Sequence, residues 1–172
     1  MILRETALAG LIVVEQERMA DERGFFARTY DAAELGPVVQ MSVSFNARAG
    51  TLRGLHFQAE PHGETKLVRC TRGAVFDVAV DLRLGSPTRN RWHAEKLSAE
   101  NGRALLIGPG FAHGFQSLAH DSEVLYAMDT AFVPGAGRGV RWDDPAFAIA
   151  WPEAPPDGRT LSERDATYPD VS

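Results

Sequence analysis

The sequence predicts an all-β fold, and three observations carry that expectation. Short apolar segments recur between Gly- and Pro-containing turns from Gly50 onward. Residues 74–82 alternate, with Ala74, Phe76, Val78, Val80 and Leu82 on one face and Asp77 and Asp81 on the other. That period of two is the signature of a half-buried strand. Apolar spacing of the helical kind is missing over any long stretch. Many short strands joined by tight turns mean an antiparallel sandwich or barrel.

In chain order, the apolar run 8–14 reads as a strand, followed by a turn at Arg23-Gly24 and then by aromatic residues with arginine between them. A short helix over 31–35 ends at Gly36-Pro37, and 38–45 reads as the next strand. Further strands are expected at 66–71, 74–82, 93–97, 103–107, 115–118 and 124–128. Beyond Pro134 the texture changes. PGAGRG (134–139) reads as a loop, WDDP (142–145) as a tight turn, and 151–158 as a proline-rich segment. In the tail, LSERD (161–165) offers Ser162 as the N-cap of one helical turn. The tail is too short to stand alone, so residues 1–172 are expected to form one domain with the tail packed back on the sheets.

A chain of 172 residues can bury a sizeable core, about two-thirds of its unfolded surface. Its 44% hydrophobic and 24% charged residues are those of an ordinary globular protein. The formal charge of −5 and the lack of any basic tract argue against nucleic acid as a partner. Scattered arginines can still clamp a single diphosphate. The one cysteine, Cys70, excludes an internal disulfide and is expected to be a buried, inert thiol. No signal peptide and no membrane-length apolar run is legible, which leaves a cytoplasmic protein without membrane partners as the expectation.

The chemistry-bearing residues cluster in two stretches, 50–83 and 109–115. Small double-stranded β-helix proteins of the cupin type bind metal through an H-x-H pair together with a P-x-G-x-x-H-like element. Pro109 to His113 resembles the second, but His56 is followed by Phe57 and Gln58, so the second imidazole is missing. Two histidines and an amide make a poor transition-metal shell, and no metal is expected. Free of metal, His56 can serve as a general base near neutral pH, or be a structural histidine. Asp165 on the returning tail is a candidate to orient it. Lys66 can stabilise an oxyanion or enolate, or simply be a solvated lysine at a strand end. Tyr126 alternates with Val124 and Met128 and should point inward, as a core tyrosine or as a proton donor. Base, oxyanion stabiliser and acid together would deprotonate and reprotonate a carbon beside a carbonyl. Arg53 adds a second cation, which favours an anionic ligand. His113 is either a ligand-orienting or a buried structural histidine. Of Asp77 and Asp81, one can support a histidine, although an ion pair with arginine is the more ordinary role. Asp143 and Asp144 read as turn residues bonded to backbone.

In this order, DERGFF, GTLRGLHFQ, KLVRC, VFDVAVDLR, SPT, LSAEN, PGFAHGF, LY, WDDP, WP and LSERD resemble the dTDP-4-dehydrorhamnose 3,5-epimerase family. The resemblance runs from about Asp21 to Asp165. It implies a cupin-like jelly roll, a homodimer, no metal or redox cofactor, and a nucleotide-diphosphate 4-keto-6-deoxyhexose as substrate. It makes His56 the base, Asp165 its partner, Lys66 the group near the keto oxygen and Tyr126 the proton donor on the opposite face. It also assigns substrate or diphosphate contacts to Arg23, Arg53 and His113. Phe26, Arg28, Gln40 and Phe132 fall at the family's remaining substrate-binding positions.

Four positions depart from the family pattern. Arg28 and Gly137 stand where the family carries glutamates, Ser42 replaces an asparagine, and Phe132 lacks an aromatic hydroxyl. All four fall on nucleotide or sugar contacts and none on the proton-transfer set. Two alternatives to a 3,5-epimerase therefore stay open. One is an enzyme inverting a single carbon or taking another nucleotide sugar; the other is a sugar-nucleotide-binding protein without turnover.

Overall fold

A computed structural model describes residues 1–171. Its strands are β1 (Ile2–Glu5), β2 (Leu11–Glu15), β3 (Met19–Asp21), β4 (Gly24–Phe26), β5 (Gln40–Asn46), β6 (Leu52–Gln58) and β7 (Lys66–Arg72). These are followed by β8 (Ala74–Asp81), β9 (Trp92–Ser98), β10 (Ala104–Ile107), β11 (Phe111–Ser117), β12 (Ser122–Met128) and β13 (Gly137–Gly139). One sheet runs β1-β2-β10-β7-β12-β5 and faces a second, β13-β6-β11-β8-β9; β3 and β4 form a separate hairpin. Every strand pairing within the sheets is antiparallel. This is the cupin-like jelly roll that the family resemblance implied, and it agrees with the antiparallel sandwich or barrel that the strand spacing predicted.

Between the sheets, Leu11, Val13, Val68, Cys70, Val75, Ala79, Leu105, Ile107, Phe115 and Val124 pack into one apolar cluster, against which Tyr126 lies. Cys70 is buried there, and burial pushes its thiol up from the ordinary value. An inert thiol follows. The two short helices form where capping residues permit them. Asp31 accepts from the Ala33 N–H to start α1 (Ala32–Leu35), and Gly36 closes it at φ 84°. Ser162 accepts from the Asp165 N–H to start α2 (Glu163–Ala166).

Three details differ from the sequence reading. The strand expected over 115–118 begins at Phe111, so His113 sits within a strand rather than before one. The loop expected over 134–139 ends in β13, which pairs with β6 through backbone groups alone and so leaves no alternation to read. Finally, β8 is buried on both faces instead of one. Val75 and Ala79 face the inter-sheet core, while Val78 and Val80 pack outside it beneath Val140, Phe147 and Trp151. The returning segment after β13 thus covers the outer face, and Val171 of the tail joins it there. Asp144 anchors it, accepting from the N–H groups of Ala146 (2.8 Å) and Val171 (2.6 Å), in keeping with a turn residue.

Asp77 and Asp81 take one each of the two roles considered for them. Asp81 is fully buried and accepts from Arg83 Nε (2.9 Å) and Nη2 (2.7 Å), Ser86 Oγ (2.6 Å) and Thr88 Oγ1 (2.7 Å). Burial alone would raise its carboxyl, but these bonds hold it well below the usual carboxylate range. It staples the β8–β9 connection. Asp77 instead meets a histidine in the site.

Candidate active site

The site lies at one end of the space between the sheets. Strand β7 begins with Lys66, whose side chain alternates with Val68 and Cys70 and so points inward. In β12, Val124 and Tyr126 share that inward face, with Tyr126 opposite Val68 and, on its other side, Ser42 of β5. By the same alternation Gln40 and Ser42 share the face of Tyr126, whereas Met41, Val43 and Phe45 are exposed on the other side. Ser42 is therefore directly beside Tyr126.

The opposite sheet supplies the histidines. His56 of β6 is paired across the ladder with His113 of β11. Strict alternation would put Arg53, three residues earlier, on the other face from His56. The register shows otherwise: Arg53 opposes Phe115, so Gly54 and Leu55 together face Gly114. This bulge returns Arg53 to the face of His56. It depends on glycine, because Gly54 has φ +130° and a Cβ there would lie 2.6 Å from Gly114 Cα. Arg53 then reaches β5, donating from Nε to Asn46 Oδ1 at 2.8 Å.

Each histidine has its own aspartate. His56 Nε2 lies 2.7 Å from Asp165 Oδ1, and the Gly54 N–H points at Asp165 Oδ2 at 3.3 Å. Burial works to raise the Asp165 carboxyl, but the hydrogen bond and charge of His56, helped by Gly54 and Ser162, bring it below its ordinary value. An ionised Asp165 selects the imidazole tautomer with its proton on Nε2, which leaves Nδ1 as the acceptor. His113 Nε2 lies 2.9 Å from Asp77 Oδ1, both side chains buried. The second oxygen of Asp77 has no hydrogen-bond partner. The His113 ring meets the Tyr126 ring edge-on at 6.0 Å. Burial, with the nearby Asp77 charge, pushes the Tyr126 phenol far above its ordinary value, although Arg53 acts the other way. Tyr126 is thus a protonated phenol at neutral pH.

A cavity of about 220 Å³ opens beside these groups, lined by His56, Gln58, Glu64, Lys66, Phe132 and Arg164, with Gly137 and Arg138 at its β13 side. Lys66 pairs with Glu64 at 2.8 Å. Gln58, at the place where a metal cupin would put its second histidine, holds loops instead. Its amide nitrogen donates to Glu64 (3.2 Å) and Ala131 (3.4 Å), and its oxygen accepts from the Val133 N–H (2.8 Å). Gln40 accepts from the Phe132 N–H at 2.9 Å, so Phe132 is held at the cavity from both sheets. Among the described residues no three His, Cys, Asp or Glu side chains are grouped to hold a metal ion.

Of the residues anticipated from sequence, the fold gathers His56, Lys66, Tyr126, Asp165, Arg53, His113, Gln40 and Phe132 around this end of the barrel. It does not bring Arg23, Phe26 and Arg28 there within one chain. Arg23 is exposed on the β3–β4 turn and paired with Asp21, while Arg28 pairs with Asp31. Phe26 is exposed on the same hairpin. Sequence reasoning overlooked Glu64, Arg138, Arg164 and Tyr168. Arg164 was signalled by its place just before Asp165. Tyr168 had no such signal; its ring packs edge-on to His56 at 5.8 Å and lies under the Arg164 guanidinium.

The model of the family described as dTDP-4-dehydrorhamnose 3,5-epimerase matches residues 5–172. The chain belongs to that family. A dTDP-4-dehydrorhamnose 3,5-epimerase of Sinorhizobium fredii is 41% identical over 99% of this chain and 90% of its own length. The Bacillus anthracis epimerase crystallised with TDP and PPi superposes with a TM-score of 0.93, at 39% identity and 99% coverage of both chains. A 3'-monoepimerase from Streptomyces bikiniensis in complex with dTDP-quinovose gives a TM-score of 0.89 at 32% identity, covering 97% of this chain and 86% of that one. By their descriptions, the proteins this chain resembles differ in how many carbons they invert.

Proposed function

We propose that this chain epimerises dTDP-4-dehydro-6-deoxy-D-glucose, a nucleotide-linked 4-keto-6-deoxyhexose, at C3 and C5 in cytoplasmic deoxysugar (rhamnose) biosynthesis. The observation that carries the reading is the placement of acid and base. His56, oriented by Asp165, comes from one sheet, and Tyr126, a protonated phenol, comes from the sheet facing it. A planar enolate held between them can lose a proton on one face and gain one on the other.

The chemistry follows in two half-steps. The 4-keto group acidifies the hydrogens on C3 and C5. His56 Nδ1 takes one of them, the C–H electron pair moves into the ring, and the keto oxygen becomes an enolate oxygen. The Lys66 ammonium stabilises that charge, which is largest in the transition state and intermediate. The Tyr126 hydroxyl then protonates the same carbon from the other side as the carbonyl reforms. Solvent resets both side chains. Arg53, Arg138 and Arg164 supply positive charge suited to the diphosphate.

The enzyme works as a homodimer in this reading. Met41, Val43 and Phe45 line the outer side of the edge strand β5, and Phe25 and Phe26 are exposed on the β3–β4 hairpin. A second copy over these surfaces would give Arg23, Phe26 and Arg28 a cavity to serve other than their own. Sedimentation at assay concentration tests this; a monomer with full activity contradicts it.

A second reading, inversion of a single carbon or use of another nucleotide, is favoured by Ser42 beside Tyr126 and by Phe132 at the cavity. Turnover with dTDP-, CDP- and GDP-linked 4-keto sugars, with each carbon followed by NMR, separates the two. Preference for dTDP with inversion at both carbons supports the first; one inverted carbon or another preferred nucleotide supports the second.

A further inference from the structure

We propose that Glu64 is a positioning residue for Lys66 and couples it to the segment carrying Phe132. The inference rests on the epimerase reading but concerns a residue outside the proton-transfer set. Lys66 and Glu64 are both nearly enclosed, with side chains 10% and 12% exposed, and their charged atoms are 2.8 Å apart. A buried ammonium is costly unless it is paired, and a lysine side chain has many rotamers to lose. Glu64 meets both requirements. It occupies one of the three N–H donors of Lys66 and leaves two to be aimed into the cavity that both residues line.

The carboxylate is itself held. Its second oxygen accepts from Gln58 Nε2 at 3.2 Å, and the Gln58 oxygen accepts from the Val133 N–H at 2.8 Å. The backbone beside it is clamped as well. The Thr65 N–H donates to Asp129 Oδ1 at 2.8 Å, and the Asp129 N–H donates to the Thr65 carbonyl at 3.1 Å. A chain of three polar contacts therefore runs Lys66–Glu64–Gln58–Val133, ending next to Phe132. Gln58 is held in β6 and the Thr65 backbone is tied to Asp129, so Glu64 is anchored where it meets the lysine nitrogen. An enolate oxygen would meet an ammonium already oriented, which affects the transition state more than substrate binding.

The test is a double-mutant cycle of Glu64→Gln and Lys66→Met, read by kcat, KM and deuterium uptake from heavy water into the sugar. Glu64→Gln is nearly isosteric and should lower kcat about tenfold with KM within about twofold, and deuterium uptake should fall in parallel. In the Lys66→Met background, with enzyme near substrate concentration and long incubation, the same change should cost less than about twofold, because its effect passes through the lysine. Equal losses in both backgrounds, or an unchanged kcat in Glu64→Gln, would overturn the proposal. Should Glu64→Gln fold poorly, Glu64→Asp keeps the charge but falls one methylene short. It should then show the same kcat loss at an unchanged melting temperature, and wild-type kcat in it counts against the proposal. A wild type that takes up no deuterium sinks the epimerase reading itself, which is a different result from a wild type that exchanges and is matched by Glu64→Gln.

Discussion

His56 Nε2 lies 2.7 Å from Asp165 Oδ1 although 109 residues separate the two in the chain. The contact exists because α2 is capped by Ser162 and begins two residues before Asp165, which turns that carboxylate onto β6. The His56–Asp165 pair is therefore assembled by the last helical turn among the described residues. Asp165→Asn should keep the fold and lower kcat by about 10²–10⁴-fold, because an amide cannot hold the imidazole in the same tautomer or stabilise its protonated form. Steady-state kinetics beside a melting curve checks this.

Tyr126 and His56 should separate by the kind of damage each loss does. His56→Ala should abolish uptake of solvent deuterium, since no base remains. Tyr126→Phe should still exchange, because His56 can return a proton to the face it came from, but inversion should fall by about 10²-fold or more. Because burial keeps the phenol protonated well beyond its ordinary range, the ultraviolet titration of Tyr126→Phe should match that of the wild type up to about pH 10. A missing tyrosine ionisation near pH 10 in the variant would contradict the assignment.

Gly139 should matter through Tyr168. A Cβ at Gly139 would lie 2.4–2.7 Å from the Tyr168 ring. That ring packs against His56, and Gly139 is paired with His56 across the β13–β6 ladder. Gly139→Ala should push the tyrosine off His56 and cost about tenfold in kcat. Adding Tyr168→Ala makes room for the methyl group, so the double variant should do no worse than Tyr168→Ala alone. A strongly additive loss in kcat would mean the methyl group acts elsewhere.

Asp81 should govern stability and not chemistry. Asp81→Ala leaves Arg83, Ser86 and Thr88 without their shared acceptor and should cost about 2–4 kcal/mol. For a chain of this length that is a melting temperature roughly 5–10 °C lower. The sign with pH follows from the depressed carboxyl. Its contribution is complete above the ordinary aspartate value of about 3.9 and is lost as pH falls below that, toward the lower folded-state value. The gap between wild type and variant should hold from pH 7 to about pH 5 and narrow at more acid pH.

Much of the fold was legible in the sequence because alternation is local. The strands at β7, β8, β10 and β12 appear within a residue or two of where apolar periodicity put them. What was missed depends on partners far away in the chain. Nothing in GRG marks β13, whose pairing is carried by backbone and whose neighbours must approach closely. The second buried face of β8 needs Phe147 and Trp151, which lie more than sixty residues further on. In the site, the residue types of His56, Lys66 and Tyr126 pointed to proton chemistry. That Arg53 shares a face with His56 follows only from the bulge at Gly54 and Leu55, which a period of two cannot reveal. Gln58 shows the converse case: its sequence position disqualified a metal site, and its role in bracing Glu64 and Val133 needed coordinates.

In the proposed reaction His56 and Tyr126 move protons at the carbons flanking a 4-keto group. The most direct measurement is turnover of dTDP-4-dehydro-6-deoxy-D-glucose in deuterated water, followed by NMR and mass spectrometry of the sugar. One deuterium is expected at each inverted carbon in the wild type and none above background in His56→Ala. Inversion without deuterium at the inverted carbon, or undiminished uptake in His56→Ala, would contradict it.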